Sequence, residues 1–447
     1  MSLRYYLFAV LFLLPTSYVN SDDLLSVYHA AVVGDPRLKL AESKVGIGRA
    51  RQQQAAGNML PQLRGTGSFS ENRQDLESGA FGQGSRESFS GEKYNLILTQ
   101  SLFDMPKYYH WKSQKQLSSQ YAAEQVETAQ QLILDIVAGY FAVLEAQDSL
   151  VLIGHEIDST ESLLRQVEGL YEKKLAQITE VLDVRARYDT LFADQVLAES
   201  QVAITRQKLQ EYTGVELGVL SRLNDDVEFS AMEGALAQWI EKLVAQNAAL
   251  AGLHLAVVAE QYSLKEKKAS RLPVVDLQMS HQKSDIGYEN SARPKSTTDY
   301  IGVNVVVPLF TGGVTSGRIS EASQRLDMAR YNYETEYRAL VNEVRDALLQ
   351  TNANVRRIQA TGKALNSSRR AHEAMLKGFT LGAVTSADVL DAQHNVFRTR
   401  RDLDQARYGY VLNRTRLLKA SGMVTPHELM QINQWLIMRP SETAAPL

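Results

Sequence analysis

The sequence predicts a mainly α-helical chain with a smaller β-strand component, built from two copies of one unit. Over long stretches without proline, apolar residues recur at a seven-residue stride, as at Val389, Val396 and Leu403. This spacing is typical of helices packed side by side. Four shorter stretches alternate apolar and polar residues, the pattern of β-strands with two different faces. The same order of elements occurs in both halves of the chain, which predicts an internal duplication.

Matching motifs in the two halves are separated by a nearly constant number of residues. Leu60 and Leu272, each followed by proline, are 212 residues apart, and the Val-Leu-Asp motifs at 181–183 and 389–391 are 208 apart. A constant offset across a whole half favours duplication over chance. Each copy is expected to contain a helix, two strands, a long helix and a shorter helix. The predicted strands lie at about 63–72, 93–103, 273–281 and 299–310, with a polar Gly/Ser-rich loop at 71–92.

The N-terminal residues differ in character from the rest of the chain. Arg4, an apolar run at 7–14 and small or polar residues after it are typical of a secretory signal peptide. We expect no later stretch to reach the ~20 apolar residues of a transmembrane helix, so a membrane span would have to consist of strands. The predicted parts are a signal peptide (1–21), a first repeat (22–230), a second repeat (231–425) and a C-terminal equatorial segment with a tail (426–447).

Composition excludes several classes of function. The chain has no Cys, which excludes disulfides, thiolate metal sites and a lipid anchor on an N-terminal cysteine. Its net charge of −3 argues against a nucleic-acid partner, because phosphate binding requires a concentrated basic face. The eight His are scattered, and Asp388, Asp391 and His394 are spaced too widely for a zinc site. We therefore expect no enzyme activity and no cofactor.

The strands of the second half give the clearest pattern of faces. Val275, Leu277 and Met279 alternate with polar residues, and 301–307 continues the alternation. In a soluble sandwich this pattern separates core from solvent, whereas in an outer-membrane strand it separates lipid from water. Four strands cannot close a membrane barrel, since the smallest have about 8 and open edges are not tolerated in hydrocarbon. If these strands span a membrane, the barrel must be shared between chains.

A turn at 382–392 is the most informative local motif. Gly382 can supply the left-handed backbone of a chain reversal, and Thr385 with Asp388 fits a capping box at a helix start. Asp388 and Asp391 then lie one turn apart on one face of the helix. From the residues alone, the simplest interpretation is that both are solvated carboxylates, the first favoured by the helix dipole.

Several segments resemble a known family, the TolC-type outer-membrane channels of export systems. Residues 98–105 (LTQSLFDM) are similar to the family's junction between strand and long helix. Residues 178–190 are similar to its first lower turn, and 388–392 (DVLDA) with 406–410 (ARYGY) to its second. The resemblance runs from about 22 to 435, and the missing Cys matches the members without a lipid anchor.

The resemblance implies a homotrimer whose chains contribute four strands each to a 12-stranded transmembrane β-barrel. The barrel would continue into a periplasmic, coiled-coil-like α-helical barrel, and the segment from 426 would join a girdle of minor helices. The implied function is a passive exit duct in the outer membrane of a Gram-negative bacterium. It would dock an inner-membrane transporter, ABC-type or proton-driven, and a periplasmic adaptor, and pass drugs or secreted polypeptides.

The resemblance also assigns roles to residues at the two turns. Asp388 and Asp391 would line the periplasmic entrance as a ring of carboxylates that favours cations. The latch region of the family corresponds to Thr179, Glu180, Phe379 and Val384. Phe379 and Val384 stand where the family has a Tyr and an Arg, so its polar latch is not conserved here. Two hypotheses follow: closure by packing, or closure by a cation pairing with Glu180, the candidates being Lys173, Lys174 and Arg187.

An alternative from another class stays open at the level of the sequence. The same helices and strands would suit a periplasmic coiled-coil structural or adaptor protein without a pore, whose strands pack in a soluble domain. The two differ in an observable property, because the duct requires detergent for extraction and the adaptor does not.

Overall fold

The computed structural model describes residues 22–76, 85–285 and 295–438. The predicted signal peptide and residues 439–447 of the predicted tail lie outside these ranges. The helices are α1 (Leu24–Gly34), α2 (Pro36–Gly57), α3 (Met105–Glu172), α4 (Ile178–Thr213), α5 (Leu236–Gln246), α6 (Ala248–Ala269), α7 (Val314–Thr380), α8 (Ser386–Ala420) and α9 (Pro426–Gln434). The strands are β1 (Gln62–Leu76), β2 (Ser85–Phe103), β3 (Arg222–Leu223), β4 (Val274–Ser284), β5 (Ser296–Val306) and β6 (Leu436–Ile437).

The described chain is mainly helical with some sheet, which confirms the predicted class. The order α2, β1, β2, α3, α4 in the first half is repeated as α6, β4, β5, α7, α8 in the second. The duplication that this order suggests stays a prediction.

The first hairpin is longer than the sequence predicts. β1 continues to Leu76 and β2 begins at Ser85, so most of the predicted loop at 71–92 is strand. The two strands stay in register to the pair Leu76–Ser85. These residues are mostly polar, so backbone hydrogen bonds rather than an apolar face hold the hairpin. The alternation of apolar and polar residues that predicts a strand is therefore missing from this part of the sequence. In the second half β5 ends at Val306, earlier than predicted, because Pro308 lacks the N–H a ladder needs.

The four long strands form one antiparallel sheet in the order β1-β2-β4-β5. The register places Leu63, Leu98, Met279 and Ile301 in one row on one face of the sheet. Leu63 and Ile301, at the ends of the row, are each 67% exposed. The apolar face is therefore largely uncovered, and β1 and β5 are edge strands.

Helix α3 is more apolar than predicted. An 18-residue window within it has a mean hydropathy of 1.6, and by length and composition alone such a helix could cross a membrane. A buried core helix meets the same criteria. Ile136, Tyr140 and Val143 of α3 are fully buried, and the Tyr140 hydroxyl donates to the carbonyl of Ser221 at 2.8 Å. These contacts show that part of the apolar stretch of α3 is buried within unit 1.

The contacts divide the chain into two compact units. Among the described residues, unit 1 comprises 22–36, 130–240 and 343–438, and unit 2 comprises 37–76, 85–129, 241–285 and 295–342. Unit 2 contains the four-stranded sheet. Unit 1 contains both lower turns, α3 to α4 and α7 to α8, and with them every residue assigned to the entrance and the latch region.

Candidate functional site

The turn between α7 and α8 has the local structure that the sequence predicts. Gly382 has a left-handed backbone with φ of 71°, and the Ala383 N–H donates to the Gly378 carbonyl at 2.9 Å, as in a Schellman motif. Thr385 is the N-cap of α8. Its hydroxyl accepts a hydrogen bond from the Asp388 N–H at 3.3 Å, and the Asp388 carboxylate accepts one from the Thr385 N–H at 2.9 Å. The predicted capping box is confirmed.

The two carboxylates of α8 lie on the exposed side of this turn. Asp388 and Asp391 are both exposed and face a common groove between α7 and α8, which Met375 and Arg398 also line. Hydrogen bonds from the backbone and hydroxyl of Thr385 hold the pKa of Asp388 below its ordinary value. Asp388 is therefore ionised at neutral pH, and the pair is accessible to a passing cation.

The turn between α3 and α4 repeats this backbone with different residues. Lys174, at the position equivalent to Gly382, has a left-handed backbone with φ of 59°. The Leu175 N–H donates to the Leu170 carbonyl at 2.8 Å, the same bond as in the second turn. Gln177 is the N-cap of α4, but its side chain makes no capping hydrogen bond. The first turn therefore has the shape of the second without its capping box.

The structure separates the residues of the predicted latch region. Phe379, 7% exposed, packs in an apolar cluster with Val181 and Val389, and the partly buried Val384 lies against the same cluster. The Thr179 hydroxyl is exposed and lies 3.5 Å from the Gln177 side-chain oxygen. The Ser386 hydroxyl reaches Glu180 at 3.5 Å. Near the turns the two helix pairs are thus joined mainly by apolar packing.

Arg187, one of the three cations proposed to pair with Glu180, pairs with a different acid. The other two candidates, Lys173 and Lys174, stay predictions. Arg187 contacts Glu156 of α3 at 2.6 Å, not Glu180. Glu156 is only 3% exposed, and sequence reasoning missed it, although the signal was a charged residue close after the apolar run 150–153 and directly before Ile157. In the described ranges no group of three or more His, Asp and Glu side chains is placed to hold a metal ion.

Comparison with known proteins identifies the family of this chain. The model of the outer membrane efflux protein family matches residues 27–215 and 239–423. The outer membrane protein TolC of Vibrio cholerae is 31% identical, with 94% of this chain and 95% of that protein covered. The alkaline protease secretion protein AprF of Pseudomonas aeruginosa is 26% identical, with coverage of 95% and 89%.

The fold agrees with this result. The crystal structure of the CmeC outer membrane channel of Campylobacter jejuni matches with a TM-score of 0.81 and 17% identity, covering 94% of this chain and 91% of CmeC. The two segments that the family model matches together span most of this chain. The chain therefore belongs to the outer membrane efflux protein family.

Proposed function

We propose that the chain is the outer-membrane exit duct of a tripartite export system, a passive channel that works as a homotrimer. Its relatives are outer-membrane proteins of Gram-negative bacteria, and the chain has the same location. The name of the Pseudomonas aeruginosa relative specifies protease secretion, which supports secreted polypeptides as one class of cargo. Efflux of drugs is the other class, supported by the family to which the chain belongs.

The open four-stranded sheet is the observation that carries this proposal. Its face is apolar and exposed, and its edge strands β1 and β5 leave backbone groups unpaired. Unpaired backbone groups cost several kcal/mol each in hydrocarbon, so a lone sheet of this kind is not stable in a membrane. Edge pairing among three copies gives twelve strands, enough for a closed barrel. The predicted internal duplication fits the same design, since each repeat would supply one hairpin of the barrel and one helix pair.

The proposed entrance is the groove that carries Asp388 and Asp391. A three-fold axis near this groove would bring six carboxylates together at the narrow end of the duct. Such a ring attracts cations and repels anions. Energy for export would come from an inner-membrane transporter, joined to the duct by a periplasmic adaptor.

Reconstitution in a planar bilayer tests the proposal. The purified protein should require detergent, behave as a trimer by light scattering, and form cation-selective channels. Asp388→Asn with Asp391→Asn should shift the reversal potential in a salt gradient towards zero, whereas Glu199→Gln, an exposed acid elsewhere on α4, should not. A protein that is soluble without detergent and forms no channels would contradict the proposal and favour the adaptor alternative.

A further inference from the structure

A buried carboxylate lies between three helices of unit 1. Glu156 of α3 is 3% exposed and is flanked by Ile153 and Ile157, which pack with Leu191 of α4. A carboxylate in such surroundings is strongly disfavoured unless hydrogen-bond donors or cations surround it. Its partners come from α4 and α8, so this one side chain connects both helix pairs.

Side chains of α4 and α8 surround Glu156. Arg187 Nη2 lies 2.6 Å from Glu156 Oε1 and 2.8 Å from His394 Nδ1. His394 Nδ1 also lies 3.3 Å from Glu156 Oε1, so this ring nitrogen contacts both the guanidinium and the carboxylate. Arg187, Glu156 and His394 thus form one cluster that joins α4, α3 and α8. On the adjacent turn the Gln393 amide donates to the Thr160 hydroxyl at 2.9 Å and to the Glu156 carbonyl at 3.3 Å.

These bonds lie close to the acidic pair of the entrance. His394 is three residues after Asp391, about 4.5 Å along the same helix axis. A helix moves as a unit over such a distance, so the position of α8 at His394 determines where Asp391 and Asp388 lie. Phe379 and Val384 contribute only apolar contacts to the turns, whereas this site adds charged and directional hydrogen bonds.

We infer that Glu156 is a positioning residue that holds α8 against α3 and α4 through Arg187, His394 and Gln393, and thereby keeps the entrance narrow. The inference rests on the proposed function, because it assigns a regulatory role at the entrance of the same duct. A movement of α8 away from the first helix pair would break the bonds to His394 and Gln393 and would expose the buried carboxylate, so these contacts oppose widening of the entrance by that movement.

Single-channel recording of matched variants tests this role. Glu156→Gln keeps the shape of the side chain without its charge, and His394→Ala removes the imidazole that contacts this cluster from α8. Glu156→Gln replaces a charge-assisted hydrogen bond by a weaker neutral one, and His394→Ala removes a contact of the charged Arg187. A change of this kind shifts an equilibrium by about tenfold, so each variant should raise the open probability by about that factor. The matched control is Glu168→Gln, because Glu168 pairs with Arg185 at 2.5 Å and links α3 only to α4. Wild-type open probability in Glu156→Gln and His394→Ala, or an equal rise in Glu168→Gln, would overturn the inference.

A cross-link provides a second measurement that does not depend on the folding of Glu156 variants. The chain has no cysteine, so Thr160→Cys with Gln393→Cys gives a single pair of thiols. A short bifunctional thiol reagent across this pair should reduce the open probability, and a reducible reagent should allow recovery. Channels that open equally with and without the cross-link would also overturn the inference. Absence of channels in the wild-type protein would instead refute the proposed function itself.

Discussion

The two turns of unit 1 provide a controlled comparison of backbone strain. Both reverse the chain with the same Schellman hydrogen bond, but one uses Lys174 and the other Gly382 at the left-handed position. A residue with a Cβ is destabilised by about 1–2 kcal/mol in this conformation, and replacing it by glycine removes that strain. The greater conformational freedom of glycine in the unfolded chain offsets part of the stabilisation. Because the Lys174 side chain is exposed, Lys174→Gly should stabilise the first turn by a net of about 1 kcal/mol.

Hydrogen exchange measures this effect locally. The Leu175 amide, which donates to the Leu170 carbonyl, should exchange about fivefold more slowly in Lys174→Gly, since 1 kcal/mol corresponds to that ratio. The reverse change, Gly382→Lys, should speed exchange at Ala383 by a similar factor. Unchanged protection of Leu175 in Lys174→Gly would refute the reasoning, because it would mean that the left-handed backbone at 174 carries no strain.

Three further predictions concern stability. Thr385→Ala should lower helix stability by about 1 kcal/mol through loss of the N-cap, and a carboxyl titration should find the Asp388 pKa nearer its ordinary value. Phe379→Ala should cost about 3–5 kcal/mol in unfolding free energy through the cavity it leaves. Burial raises the pKa of Asp404 from 3.8 to about 6, against the opposing effect of Arg400. Stability from this group is therefore full below about pH 4 and lost as pH rises through about 6, so Asp404→Asn should flatten that part of the thermal-unfolding profile.

Each of these predictions has an outcome that contradicts it. Equal unfolding of Thr385→Ala and the wild type would show that the cap does not stabilise α8. Leu381→Ala, at a side chain that is 83% exposed, is the control for Phe379→Ala, and an equal loss in both would exclude a packing role. An Asp404→Asn protein that keeps the wild-type slope between pH 4 and 6 would place the titrating group elsewhere.

Local sequence was sufficient for the turn that carries the acidic pair. Gly382 and Thr385 act on neighbouring backbone groups, so their identity and spacing predict the left-handed reversal and the cap. The central parts of the strands were also predictable, because apolar residues there alternate with polar ones. The outer half of the first hairpin was not, since a ladder of backbone hydrogen bonds leaves no trace in side-chain polarity.

The sequence by itself therefore determined the helical class, the strand centres and the conformation of the second turn, all of which depend on residues a few positions apart. Only the tertiary structure decided the partner of Arg187 and the burial of Glu156. Those contacts join Glu156 to residues 31 and 238 positions away. Which of several acids a given arginine meets depends on how α3, α4 and α8 pack, and that packing is a property of the whole core.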